Sequence, residues 1–160
     1  MIRFLTVTAK LLLGLILLLT IVYLLGPRPE SVEIDNKPLR LDLSLMELDE
    51  YINQKEEKIP NILPDARAQI VWADSNRQQT PYSIVYLHGF SATHWEASKL
   101  HRSLAQRYGA NLYLSRLAKH GSTDLEAWAE LRPKDLINSA KEALAIGRIL
   151  GEKVILMGCS

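Results

Sequence analysis

The first 26 residues differ from the rest in their pattern of apolar and polar positions. Residues 11–25 carry no charge, and extending back to Leu5 adds only Lys10 and two threonines as polar positions. At roughly 1.5 Å per helical residue, residues 5–25 span about 31 Å, close to the hydrocarbon thickness of a bilayer. Lys10 lies near the end of that stretch, where its ammonium can snorkel to the headgroups. A cleaved signal peptide is the competing reading, but Tyr23-Leu24-Leu25-Gly26-Pro27 offers no small-x-small cleavage site, so the segment is predicted to be a retained anchor. Arg3 and Lys10 precede the span, while Arg28, Glu30, Glu33 and Asp35 follow it. The positive-inside rule then predicts a single-pass protein with a cytoplasmic N-terminus and the remainder on the non-cytoplasmic side.

After residue 26 the pattern becomes that of a water-soluble α/β chain. Residues 26–40 are rich in proline and charge and read as a juxtamembrane linker. Ser44-x-x-Glu47 is a capping box followed by Leu45, Leu48 and Ile52, which predicts a helix over residues 44–57. Residues 68–73 and 83–87 are short β-branched and aromatic runs separated by the turn-rich residues 74–81, so both are predicted strands. Thr93-x-x-Glu96 is a second capping box. Behind it Ala97, Leu100, Leu104 and Tyr108 form an apolar stripe, and Gly109 stands at the helix end. Residues 111–115 are the next strand, followed by a short helix near 125–131. Pro133 opens a longer helix, with Leu136, Ala140, Ala143, Leu144 and Gly147 on one face and Gly151 closing it. Residues 153–157 are apolar throughout, as in a buried parallel strand. The expected organisation is an anchor over 1–26, a linker and helix over 27–66, and an α/β domain over 67–160.

Composition narrows the chemistry. Removing Arg3 and Lys10 from 19 basic side chains leaves 17 against 18 acidic ones, net −1 beyond the anchor, so no electrostatic argument favours nucleic acid. One cysteine excludes an internal disulfide framework and a multi-cysteine zinc site. His88, His94, His101 and His120 match no metal spacing. No dinucleotide fingerprint or Walker loop is present, so no cofactor is expected.

Unusual residues follow three of the predicted strands, where open α/β sheets bind their ligands. They are His88-Gly89-Phe90-Ser91, then residues 116–122 (RLAKHGS), then Gly158-Cys159-Ser160. Gly158-Cys159-Ser160 supplies the first three positions of Gly-x-Ser-x-Gly, in which a serine nucleophile sits on a strained strand-to-helix elbow. Reading Cys159 as the nucleophile would put Met157 where a small residue belongs. On these motifs, residues 70–160 resemble the N-terminal part of an α/β-hydrolase, near the lipase, esterase and serine-aminopeptidase branch.

The resemblance implies Ser160 as nucleophile and the Phe90 backbone N–H as one donor to the oxyanion. It implies a substrate that is a small-molecule or lipid-like carboxylic ester, cleaved through an acyl-enzyme. In that family the acid and the histidine follow the serine in chain order, so residues 1–160 alone are expected to be inactive and to represent the front portion of such an enzyme. The alternative, from another class, is an inactive truncated remnant serving as a membrane-tethered binding or interaction domain. His88 and His120 are expected to shape loops rather than transfer protons, and His94 and His101 to lie solvated around a surface helix. Trp72, Trp95 and Trp128 read as core or rim aromatics, and Ser122 as a cap of the following helix.

Overall fold

A computed structural model describes residues 2–28, 33 and 35–160; linker residues 29–32 and 34, Glu30 among them, lie outside the described residues, as does the Arg3 side chain. Two compact units result, Met1–Glu33 and Ile34–Ser160. The first is the helix α1, Ile2–Leu25. Within it Val7–Leu25 has a mean hydropathy of 2.4 and is long and apolar enough to cross a membrane. Its Thr20 hydroxyl donates to the Ile16 carbonyl at 2.8 Å, so this polar group is satisfied inside the helix.

The second unit is a three-layer α/β arrangement. Its sheet comprises β1 (Gln69–Val71), β2 (Thr80–Leu87), β3 (Asn111–Leu114) and β4 (Gly151–Gly158), in the order β1-β3-β2-β4. β2 pairs in parallel with β3 on one side and with β4 on the other, whereas β1 runs antiparallel to β3. The sheet is therefore mixed, a detail that the short run at residues 68–73 could not declare.

Alternation along β2 divides the core. Val85 faces α2 (Leu48–Glu57) and α5 (Pro133–Leu150), packing with Leu48, Ile52, Ala143, Ile146 and Leu150. Ile84 and Tyr86 face the opposite way, toward α3 (Ser98–Tyr108), with Leu112, Leu114 and Ala105. The box at Ser44 forms: the Glu47 carboxylate accepts from the Ser44 N–H at 2.7 Å and from its hydroxyl at 2.6 Å. The chain opens there as a 3-10 turn, Leu45–Glu47, before α2 begins. Gly109 ends α3 at φ 56°, the left-handed cap its position predicts.

Three expectations are corrected. In α3 only half of the predicted stripe packs inward: Ala97 and Leu104 meet the core, but Leu100 is 56% and Tyr108 58% exposed, while His101 and Ala105 are buried. The reason is the 3-10 turn His94–Ala97, which delivers the helix to the sheet with His101 inward. The His101 Nε2–H donates to the His94 carbonyl at 2.9 Å, and its ring lies 4.9 Å from Tyr86. His94 is buried as well, so neither histidine is solvated. Lastly, β4 is not buried as expected but is the outermost strand among the described residues, with Ile155 41% and Leu156 55% exposed. Gly151 closes α5 as expected, in an extended conformation, because it is already the first residue of β4.

Candidate active site

Because β2, β3 and β4 are parallel, their carboxyl ends share one edge of the sheet. The chain leaves β2 through α3 to β3, then returns through α5 to the other side of β2. Strand order therefore reverses between β2 and β4, and α3 and α5 lie on opposite faces there. Ligand crevices of open α/β sheets form at such a switch point. The two segments there are His88-Gly89-Phe90 and Gly158-Cys159-Ser160.

The structure brings these two segments together. Leu87 pairs with Gly158, and the Cys159 N–H donates to the Leu87 carbonyl at 3.1 Å. A Cβ added to Gly89 would lie 3.7 Å from the Cys159 carbonyl oxygen, so the loop after β2 passes directly beside the end of β4. Ser160 is exposed at this edge.

Local geometry leaves one amide of the loop open. The Ala92 N–H closes a turn onto the Gly89 carbonyl at 3.2 Å, with Ser91 at φ 63°, the positive value a type II turn requires at its third position. The Gly89 N–H donates to Glu96 Oε1 at 2.5 Å, and the Ser91 N–H to His120 Nε2 at 3.2 Å. Between them, the Phe90 N–H has no acceptor among the described residues. The exposed Phe90 ring stands edge-on to His120 and Trp128, at centroid distances of 5.6 and 5.7 Å.

Both nearby histidines are structural. His88 is buried; its Nε2 accepts from the Leu117 N–H at 3.0 Å, which puts the ring proton on Nδ1, 2.9 Å from the Gly89 carbonyl. His120, also buried, accepts at Nε2 from Ser91 and donates from Nδ1 to the Ala118 carbonyl at 2.8 Å. Burial holds both rings below the ordinary histidine pKa, so they are neutral cross-links between the loops after β2 and β3. Neither has a ring nitrogen free to act as a base.

Two carboxylates in this framework carried no sequence signal of their role. Glu96 reads as the second half of a capping box with Thr93, yet its Oε1 accepts from Gly89 and from the Tyr86 hydroxyl, the latter at 2.8 Å. Partial burial pushes its pKa upward, but these bonds outweigh it and hold the carboxyl below its usual value. Thr93 keeps its half of the box, accepting from the Trp95 N–H at 3.4 Å. Glu56, on α2, receives the Arg116 guanidinium at 2.8 and 3.0 Å with both side chains buried, which anchors the loop after β3. Ser122 is not the cap of α4 (Leu125–Ala129); that cap is Asp124, accepting from Glu126 and Ala127. The Ser122 hydroxyl instead donates to the Pro60 carbonyl at 2.9 Å.

Set against known proteins, the chain matches no family model and no curated protein sequence.

Proposed function

We propose that this chain is the front portion of a membrane-anchored serine hydrolase of the α/β-hydrolase type, acting on carboxylic esters. The observation that carries the reading is the meeting of Gly158-Cys159-Ser160 with an open Phe90 amide at the switch point of a parallel sheet. A serine hydroxyl at the end of one strand and a preorganised N–H donor at the end of its neighbour are the two parts that acyl transfer requires first.

In the proposed reaction the Ser160 oxygen attacks the ester carbonyl while its proton passes to a histidine that the resemblance implies further along the chain. The Phe90 N–H takes part of the oxyanion charge. Collapse expels the alcohol, which regains the proton, and water then releases the acid from the acyl-enzyme. The anchor holds this chemistry beside a bilayer, which favours lipid-like esters, and the charges flanking α1 favour a non-cytoplasmic catalytic domain.

One observation favours the second reading, a membrane-tethered interaction domain: among the described residues β4 is outermost and exposes the apolar Ile155 and Leu156, a surface suited to pairing. The deciding experiment treats the protein captured from its native membrane with a fluorophosphonate and locates the adduct by mass spectrometry. The hydrolase reading expects one adduct, on Ser160, absent from Ser160→Ala. An unlabelled protein, or labelling that survives Ser160→Ala, overturns it.

A further inference from the structure

A second concavity lies away from Phe90 and Ser160. It is a cavity of about 510 Å³ inside the Ile34–Ser160 unit, bounded by α2, the end of β3, the following loop, α4 and α5. Its size falls in the range of small-molecule sites. We propose that this cavity binds a neutral, hydroxyl-rich small molecule of the sugar or polyol class.

The first indication is Tyr113. This residue is only 6% exposed, lines the cavity, and its phenol has no hydrogen-bond partner among the described residues. The hydroxyl itself is not sealed in protein but opens onto the cavity, where its donor is free for a bound molecule. Burial, then the nearby Glu142 and Glu56 carboxylates, push its pKa up, so the group is a neutral O–H with a donor to offer.

The second indication is Glu142 on α5, which also lines the cavity. Its Oε1 accepts from the Tyr51 hydroxyl and the Lys55 ammonium, both from α2. Its Oε2 has no partner among the described residues and offers an acceptor. The cavity thus presents an unused donor and an unused acceptor together.

Charge selects the ligand class. Four cations and five carboxylates line the cavity: Lys55 pairs with Glu142, Arg116 with Glu56 and Lys119 with Glu130, Asp124 caps α4, and Lys58 and Glu126 carry opposite charges. An anionic ligand would face the Glu142 and Glu56 carboxylates, and an amine would face Lys55 and Arg116. A hydroxyl is the neutral group that both gives and accepts a hydrogen bond, and it complements Tyr113 and Glu142 at once. The Tyr51 ring and the apolar walls of Ile52, Ile59 and Ala127 suit the C–H faces of a polyol ring.

The test uses the full chain in phosphocholine-headed micelles, which carry no sugar. Saturation-transfer NMR is recorded with D-glucose, D-galactose, myo-inositol and glycerol, and with butyrate and butylamine as charged probes. At least one polyol is expected to bind saturably. Tyr113→Phe keeps the ring and removes the unpaired hydroxyl, and is expected to weaken that binding about threefold to tenfold. Ala127→Trp, which fills the cavity from α4, is expected to abolish it. Glu142→Gln supplies a further variant should Ala127→Trp fail to fold, and is expected to weaken binding in the same sense as Tyr113→Phe. Failure of all four polyols to bind overturns the proposal. So does binding insensitive to Tyr113→Phe, or Tyr113-dependent binding of butyrate or butylamine alone.

Discussion

At the scale of single residues, the candidate site depends on which backbone N–H groups are already used. The Gly89 and Ser91 amides flank Phe90, and each is taken by a side chain, Glu96 on one side and His120 on the other. What remains open is the one amide the proposed chemistry needs. Glu96 is therefore a positioning residue: it touches no reacting atom, but it fixes the peptide that precedes Phe90. Replacing Glu96 by Ala is expected to slow fluorophosphonate labelling of Ser160 about tenfold, less than the hundredfold or greater cost of losing an oxyanion donor outright. The melting temperature reads the structural part of the change separately. Unaltered labelling kinetics would show that the loop holds its geometry without the carboxylate. Sequence spacing could not separate this role from helix capping, since Thr93-x-x-Glu96 satisfies the local pattern and the rival donor, Gly89, is supplied by another segment.

At the scale of elements, two contacts decide how the helices sit on the sheet. α5 crosses β2 and β4 at Gly147, where an added Cβ would lie 2.4 Å from Val85 Cγ2 and 3.1 Å from Val154 Cγ1. Gly147→Ala gains helix propensity but must push α5 off the sheet, and overpacking of this kind costs about 1–3 kcal/mol. Urea unfolding should show a net loss of stability; a gain would mean that Val85 and Val154 yield freely. The second contact is the buried Arg116–Glu56 pair. Glu56 also accepts from the Ala68 N–H at 3.1 Å, so one carboxylate joins α2, the approach to β1 and the loop after β3. Glu56→Ala leaves a buried guanidinium uncompensated and is expected to cost about 3–5 kcal/mol, measured in the same way. Gly121 in that loop adopts φ 71° with Ala66 Cβ only 2.6 Å from where its own Cβ would stand, so both conformation and space demand glycine. α1 belongs to the other unit. Its apolar window predicts that the full chain stays with the membrane pellet after alkaline carbonate extraction, and release into the supernatant would remove the anchor reading.

At the scale of the whole molecule, all four histidines are buried, and burial is the leading cause that lowers each one's pKa. As pH falls, the unfolded chain therefore takes up protons before the folded one. Stability is expected to be complete above about pH 6.5, the ordinary histidine value, and to decline as pH drops through the lower folded-state values. A urea midpoint that holds or rises between pH 7.5 and 5.5 would contradict this. The sequence by itself determined the apolar helix, the alternation of strands and helices, and the three motif-bearing strand ends. These follow from local periodicity, capping and turn chemistry, which nearby residues settle among themselves. Tertiary structure alone decided that β1 runs antiparallel and that α3 buries His101 rather than Leu100. It also decided that Glu96 and Glu56 serve loops far from them in sequence. Each of those outcomes depends on pairing or desolvation between distant segments. Partners of that kind leave no periodicity in the chain, because the energy that selects them exists only once the layers have closed.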